Sequence, residues 1–452
     1  MTKHFKKSPP SIVPPNIAGT SVSYRLLYIV ASFFFRLFYR RFIVLNRHLV
    51  PKGEQLIYAS NHQNALMDAL AMLFAARRPV AFLARADMFR KKPIAHMLHF
   101  LKIMPIFRPR DGMENMNANY EVFQATARLL KKGMPIALLP EGTHSPIKKL
   151  QQLKKGICRI AFQAAEAQNY EADIFIVPTG IDYTSYSEAG TDLLLIYGPA
   201  INVAQYYPLY RENPQKAINA LIQHLAGEIK KLMIHVEDDH YYDTIQHVTT
   251  FFASGNTRYA NFKKARHLIQ ELYEVPEKEM HMEALKEHTH NYTKILRQKG
   301  FRDASVRIPA SLIGLVLRFI LALLLLPLAL AGGIINFLPY KLPTLVSDKV
   351  KDKQFVASVN YGLGLLCFIL WYLILLLVAV LLFKSVWAIL LLLPAGVSGL
   401  FAFYYAIHLK KLKGDYNFYR FRKRDPVAYG QMLELRNDIK VLVPDADIDI
   451  IA

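Results

Sequence analysis

Beyond residue 310 the chain carries three long, nearly uncharged stretches, 312–338, 359–383 and 386–407, which constrain its folding more than any other feature. About 20 apolar residues rising 1.5 Å each cross a bilayer core, and only helices or closed barrels satisfy the backbone there. The second and third stretches therefore read as a transmembrane hairpin turned at Lys384 and Ser385. The first is less regular. Pro327 and the pair Gly332 and Gly333 divide it and Arg318 lies within it, which suits a kinked span or a re-entrant element.

Charge placement bears on that choice. Lys341, Lys349, Lys351 and Lys353 outnumber Asp348 and Asp352 between the first two stretches, and Lys410, Lys411, Lys413, Arg420, Arg422, Lys423 and Arg424 follow the third, whereas Lys384 is the only base at the hairpin turn. A re-entrant first stretch puts the amino-terminal domain, the linker and the basic tail on one cytoplasmic face, as the positive-inside bias prefers; it is favoured over a three-span anchor. The formal charge of +21 and a hydrophobic content of 53% exclude a disordered chain and point to an anionic membrane surface or anionic substrates. No nucleic-acid-reading motif accompanies the charge, so no nucleic-acid partner is expected. Two cysteines, Cys158 and Cys367, lie far apart and support neither a disulfide framework nor a thiolate metal site. Residues 24–42 mix bulky apolar side chains with Arg36, Arg40 and Arg41 and lack a cleavage pattern, which suits an interfacial helix or a core helix of the domain that follows.

From about 50 to 235 short apolar runs, 56–59, 80–84, 135–139, 174–177 and 193–197, alternate with helical stretches such as 115–132 and 153–168, an α/β pattern. Strands in such folds deliver polar residues to the loops at their ends. The first polar cluster is Asn61-His62-Gln63-Asn64-Ala65-Leu66-Met67-Asp68. A histidine with one ring nitrogen bonded to a carboxylate has a fixed tautomer and a second nitrogen free to take a proton; the bland alternative is an exposed or capping pair. The second cluster is Leu139-Pro140-Glu141-Gly142-Thr143-His144-Ser145, where a glycine turn with flanking hydroxyls and amides suits a phosphate, or simply a capped β-to-α turn. Between them Arg108 and Arg110 end an apolar run, and guanidinium groups clamp phosphate. A fourth run, 175–181, contains Val177 and Pro178 and looks like a strand entering an apolar wall.

In this order and at these intervals the four segments resemble the glycerophospholipid acyltransferase family, which includes the 1-acylglycerol-3-phosphate and glycerol-3-phosphate acyltransferases. The resemblance covers residues 45–235. It implies His62 as base with Asp68 as its partner, acceptor phosphate-binding by Arg108, Arg110, Gly142, Thr143, His144 and Ser145, loop or donor orientation by Asn61 and Glu141, and an apolar wall at Val177 and Pro178. Two departures stand out: five residues rather than four separate His62 from Asp68, and His144 replaces the family's arginine.

The expected fold is thus an acyltransferase-type α/β domain with a membrane-associated amino-terminal helix and carboxy-terminal transmembrane helices. Its expected parts are a basic lead and interfacial helix (1–44), the α/β domain (45–240), a polar helical connector (241–306), a kinked or re-entrant element (307–340), a basic loop (341–358), the hairpin (359–407) and a basic then acidic tail (408–452). The implied reaction moves an acyl group from acyl-CoA or acyl carrier protein to 1-acylglycerol 3-phosphate, giving phosphatidate. Glycerol 3-phosphate as acceptor, or a non-catalytic lysophospholipid-binding protein, are the alternatives. No metal and no cofactor beyond the acyl donor are expected, and the partners expected are membrane phospholipid and the acceptor. Cys158, on an apolar helical pattern, is not expected to be a nucleophile. His281, His288 and His290 read as a solvated helix rather than a metal site.

Overall fold

The computed structural model describes residues 14, 17–108, 118–384, 386–444 and 446. The chain divides into two units, residues up to Met233 with Val350–Ser358, and Ile234–Lys349 with the residues from Val359 onward.

The first unit is built on eight strands, β1 (Arg41–Leu45), β2 (Gln55–Ser60), β3 (Ala81–Arg85), β4 (Ile103–Ile106), β5 (Ile136–Leu138), β6 (Ile174–Tyr183), β7 (Asp192–Tyr197) and β8 (Ile201–Asn202). They form one sheet in the order β1-β7-β6-β2-β5-β3-β4, with β8 beside β6. The run from β6 through β2, β5 and β3 to β4 is parallel, while β7 and β8 pair antiparallel with β6. Parallel strands covered on both faces need apolar side chains in succession rather than alternation, and β2 is buried from Leu56 to Ser60. The helices are α1 (Val22–Phe38), α2 (Ala65–Ala76), α3 (Lys92–Phe100), α4 (Ala118–Lys131), α5 (Gly156–Glu166), α6 (Tyr207–Glu212) and α7 (Pro214–Lys231). Ile157, Ile160 and Phe162 of α5 and Leu221, Leu225 and Ile229 of α7 join Ile57, Ile136 and Ile176 of the strands in one core. Each such side chain contributes roughly 1.5–3 kcal/mol by leaving water.

Because β2, β5, β3 and β4 run parallel, their carboxyl ends deliver His62, Glu141, Asp87 and Arg108 to the same edge of the sheet. The sheet begins earlier than the expected boundary at 45, since the amphipathic helix stops at Phe38 and Arg41–Leu45 pairs with β7. Arg40 and Arg41 both grip the buried Asp192 carboxylate. Burial pushes that carboxyl up, but the two guanidinium groups outweigh it and hold it at about 2. The helix packs on the domain through Tyr24, Phe35 and Phe38, while Val22, Leu26, Ile29 and Phe33 form an exposed apolar stripe at helical spacing.

The second unit is helical: α8 (Tyr242–Phe252), α9 (Arg258–Glu274), α10 (Lys278–Lys299), α11 (Asp303–Arg307), α12 (Leu312–Ser347), α13 (Val356–Phe383), α14 (Leu392–Arg424) and α15 (Pro426–Leu442). Among the described residues three helical segments are long and apolar enough to cross a membrane, Leu312–Ser347, Lys353–Phe383 and Ile389–Arg424. The first is one continuous helix containing Pro327, Pro339 and Pro343, which corrects the favoured re-entrant turn: the chain does not reverse within it. Gly332 lets α12 approach α14 closely, since a Cβ there would lie 2.0 Å from the Ser398 carbonyl oxygen. Asn336 of α12 donates to the Ala395 carbonyl and accepts from the Tyr372 hydroxyl, so it is satisfied within the apolar helices. The basic tail is the continuation of α14 followed by α15, which packs on α10. His281 bonds the Leu442 carbonyl and His288 pairs with Asp438, giving both histidines structural partners. Ser385 and the acidic residues Asp445, Asp447 and Asp449 lie outside the described residues.

Candidate active site

β2 ends at Ser60 and α2 starts at Ala65, and the loop between them carries the first cluster. Asn61 is fully buried and continues the pairing of β2 with β6: its side chain donates to the Ile181 carbonyl at 2.9 Å and accepts from the Ile181 N–H at 2.8 Å. The amide therefore pins the loop to its neighbouring strand instead of facing a ligand.

His62 Nδ1 lies 2.8 Å from Oδ2 of Asp68, which is wholly buried. The same oxygen accepts the backbone N–H groups of Gln63 and Asn64, at 2.8 and 2.7 Å, so the carboxylate satisfies donors that the start of α2 leaves without intrahelical partners. The Tyr183 hydroxyl, on β6, donates to Oδ1 at 2.7 Å. Since Oδ2 already accepts from two amides, Nδ1 is the donor, and Nε2 of His62 keeps its lone pair with no partner among the described residues. Burial first, then Asp68, pushes the Tyr183 phenol well above its usual range, so it remains a donor.

The loop between His62 and Asp68 holds five residues and still brings the two side chains to 2.8 Å. Ala65 adopts a left-handed conformation, φ 43°, a sharp turn between the two side chains that meet. The Asn64 side-chain amide is buried and has no hydrogen-bond partner among the described residues.

The second cluster follows β5 and wraps round the first. Glu141, 3% exposed, accepts the His62 N–H at 2.7 Å and the Gln151 N–H at 3.1 Å, tying the two loops together. Burial pushes its carboxyl up to about 8 against the pull of those two amides, with Asp68 adding to the rise. Gly142, φ 73°, makes the sharp turn that follows, and the Ser145 N–H donates to the His62 carbonyl at 3.0 Å. His144 is brought edge-on to His62, ring centroids 5.4 Å apart. Thr143 is exposed and Ser145 partly so. Lys148 pairs with Asp182 of β6 at 3.2 Å.

Other expected site residues fall elsewhere. Arg108 ends β4 and reaches Asp87 at 3.8 Å; β4 lies three strands from β2, roughly 14 Å at the usual strand spacing. Arg110 lies outside the described residues. Val177 and Pro178 are buried inside β6 and form sheet core instead of an open wall. The site-facing contributions of β6 come from further along it, at Ile181, Asp182 and Tyr183. Sequence reasoning did not single out Tyr183 or Gln151; the strand following Val177 and Pro178 was the available signal for the tyrosine. Cys158 is fully buried, and its thiol is pushed up to about 12 by that burial, which leaves it inert.

Residues 41–182, which hold the histidine, its buried carboxylate partner and the glycine turn, match the family model described as Acyltransferase. Over these residues the chain carries an acyltransferase domain, similar to those of the glycerophospholipid acyltransferases that its motifs resemble. A protein of Chlamydomonas reinhardtii named 1-acyl-sn-glycerol-3-phosphate acyltransferase is 29% identical over 127 residues, which cover 28% of this chain and 36% of that relative. The crystal structure of the 1-acyl-sn-glycerophosphate acyltransferase PlsC from Thermotoga maritima is similar at 18% identity and a TM-score of 0.32, covering 46% of this chain and 79% of that one.

Proposed function

We propose that the chain is a membrane-bound acyltransferase that moves an acyl group from a thioester, acyl-CoA or acyl carrier protein, to the free hydroxyl of 1-acylglycerol 3-phosphate, forming phosphatidate. The observation that carries this reading is the 2.8 Å contact between His62 Nδ1 and Asp68 Oδ2, which leaves Nε2 available as a base. Nε2 takes the acceptor hydroxyl proton as the hydroxyl oxygen attacks the thioester carbonyl. The tetrahedral adduct collapses with cleavage of the C–S bond, and the imidazolium returns the proton to the leaving thiolate. No covalent enzyme intermediate is required. Asp68 stabilises the imidazolium, and the Thr143 and Ser145 hydroxyls with the His144 ring, next to His62, meet developing charge and the acceptor phosphate. Arg108 attracts the same phosphate from the edge of the sheet.

The three apolar helices and the exposed apolar stripe of α1 support a multi-pass membrane protein whose catalytic domain works at the lipid surface. Residues 350–358, with Lys351 and Lys353, belong to the same unit as that domain, so the positive-inside bias favours the cytoplasmic face for it. Membranes from an expressing strain, given labelled acyl-CoA or acyl carrier protein with each acceptor in turn, test the assignment. Labelled phosphatidate from 1-acylglycerol 3-phosphate is expected; product from glycerol 3-phosphate alone reverses the choice of acceptor, and no product from either, with the protein present and folded, removes the reaction.

A further inference from the structure

The segment Val350–Ser358 follows α12 yet belongs to the first unit, more than 200 residues away in sequence from the loops it meets. Its centre is a single 3-10 turn, Lys353–Phe355, packed against α2. The Asp352 side chain is shared between two tasks. Oδ1 caps the turn by accepting the Gln354 N–H at 3.1 Å, and Oδ2 faces Nε2 of His144 at 3.5 Å. The Phe355 ring meets the His144 ring edge-on at 4.8 Å, and His144 in turn meets His62. A chain of three rings thus runs from the segment to the proposed base.

We propose that 350–358 is a displaceable strap whose Asp352 carboxylate occupies, on His144, the place of the acceptor's phosphate; this rests on the acyltransferase reading above. Two anions cannot share one imidazole edge, so the acceptor enters as the strap lifts. The seat is light enough for that. Asp352 is 47% exposed at its side chain and Phe355 is 40% exposed, and the seated strap leaves Gln354 Oε1 and Ser358 Oγ buried with no hydrogen-bond partner among the described residues. Both flanks of the strap are long apolar helices, so the element that guards the phosphate site is tethered on each side to the segments that meet lipid.

The full-length protein in nanodiscs tests this. Asp352→Asn keeps an N-capping side chain but removes the charge, and is expected to lower the acceptor KM at least threefold with kcat and the donor KM unchanged. In a Cys158→Ala, Cys367→Ala background, Gln354→Cys is expected to react several times faster with a maleimide once lysophosphatidate is added, and no faster with an uncharged monoacylglycerol. Transfer by the wild type with neither change overturns the strap. A rise in labelling with lysophosphatidate but no transfer keeps the strap and removes the enzymatic reading. Equal labelling with both lipids also overturns it, because the strap would then answer to acyl chains and not to phosphate.

Discussion

The Tyr183 hydroxyl donates to Oδ1 of Asp68 at 2.7 Å, so the carboxylate that orients His62 is itself oriented from β6, a strand that reaches this site after the sequence has run on by 115 residues. Replacing Tyr183 by Phe removes one donor and leaves the other three. Its expected effect is about 1 kcal/mol of stability and a roughly tenfold lower kcat with the acceptor KM unchanged, read by thermal unfolding in detergent and by the transfer assay.

His62→Ala is expected to lower transfer by roughly 10²–10⁴-fold, the usual contribution of a positioned base, with membrane extraction and unfolding temperature unchanged. Asp68→Asn is expected to be harsher on the fold. Its amide offers one oxygen where the carboxylate serves four donors, so the unfolding temperature falls along with the rate. Wild-type turnover in either variant sinks the assignment of the pair.

Glu141 gives the protein a pH dependence with a definite sign. Its carboxyl is raised from 4.5 in the unfolded chain to about 8 when folded, so the folded state holds the proton more tightly. Its contribution to stability is complete below pH 4.5 and is lost as pH rises through about 8, a change on the order of a few kcal/mol. The unfolding temperature of the wild type should fall across that window. Glu141→Gln should be less stable than the wild type at low pH, where one of the two backbone donors loses its acceptor, but cannot ionise and so should show a flatter profile that closes the gap as pH rises; an equally steep profile refutes the role of this group.

Arg108→Ala is expected to raise the acceptor KM roughly 10–100-fold, the range for losing a charge-assisted contact, and to leave the donor KM alone. A raised donor KM instead would move Arg108 from the acceptor to the thioester side of the site.

The exposed stripe of α1 is expected to sit in the lipid interface. Trp371 and Trp387 are the only tryptophans, so with both changed to Phe an Ile29→Trp reporter can be read alone. Brominated lipids should quench it in vesicles containing anionic lipid. A fully water-quenchable reporter would show that the stripe stays clear of the bilayer.

Much of the domain was legible because buried parallel strands write themselves as short apolar runs: β2, β3, β5 and β7 fall within a residue or two of where periodicity puts them. β1 was hidden because Arg41 and Phe42 continue an amphipathic helical pattern, and only the pairing with β7 and the ion pairs to Asp192 end the helix before them. The His62–Asp68 pair and the Glu141 turn were legible as motifs, and their contact was not, since a loop's path is set by φ angles rather than by spacing. Asn61 and Val177 show how a motif hides a structural task. Both belong to motifs, yet one is a sheet clamp and the other sheet core. The strap was invisible for a different reason: nothing local ties Asp352 to His144, and a contact across 200 residues is decided by tertiary packing alone.

The left-handed Ala65 has one more consequence. The stretch it sits in is held like a belt at two buckles, by Asn61 on Ile181 of β6 and by Asp68 on its four donors, so the meeting of His62 with Asp68 is set by the buckles rather than by the number of residues between them. Counting residues between histidine and aspartate is therefore a poor ruler for deciding which chains can carry this chemistry, and a search that insists on one fixed interval will pass over proteins whose two side chains meet just as closely.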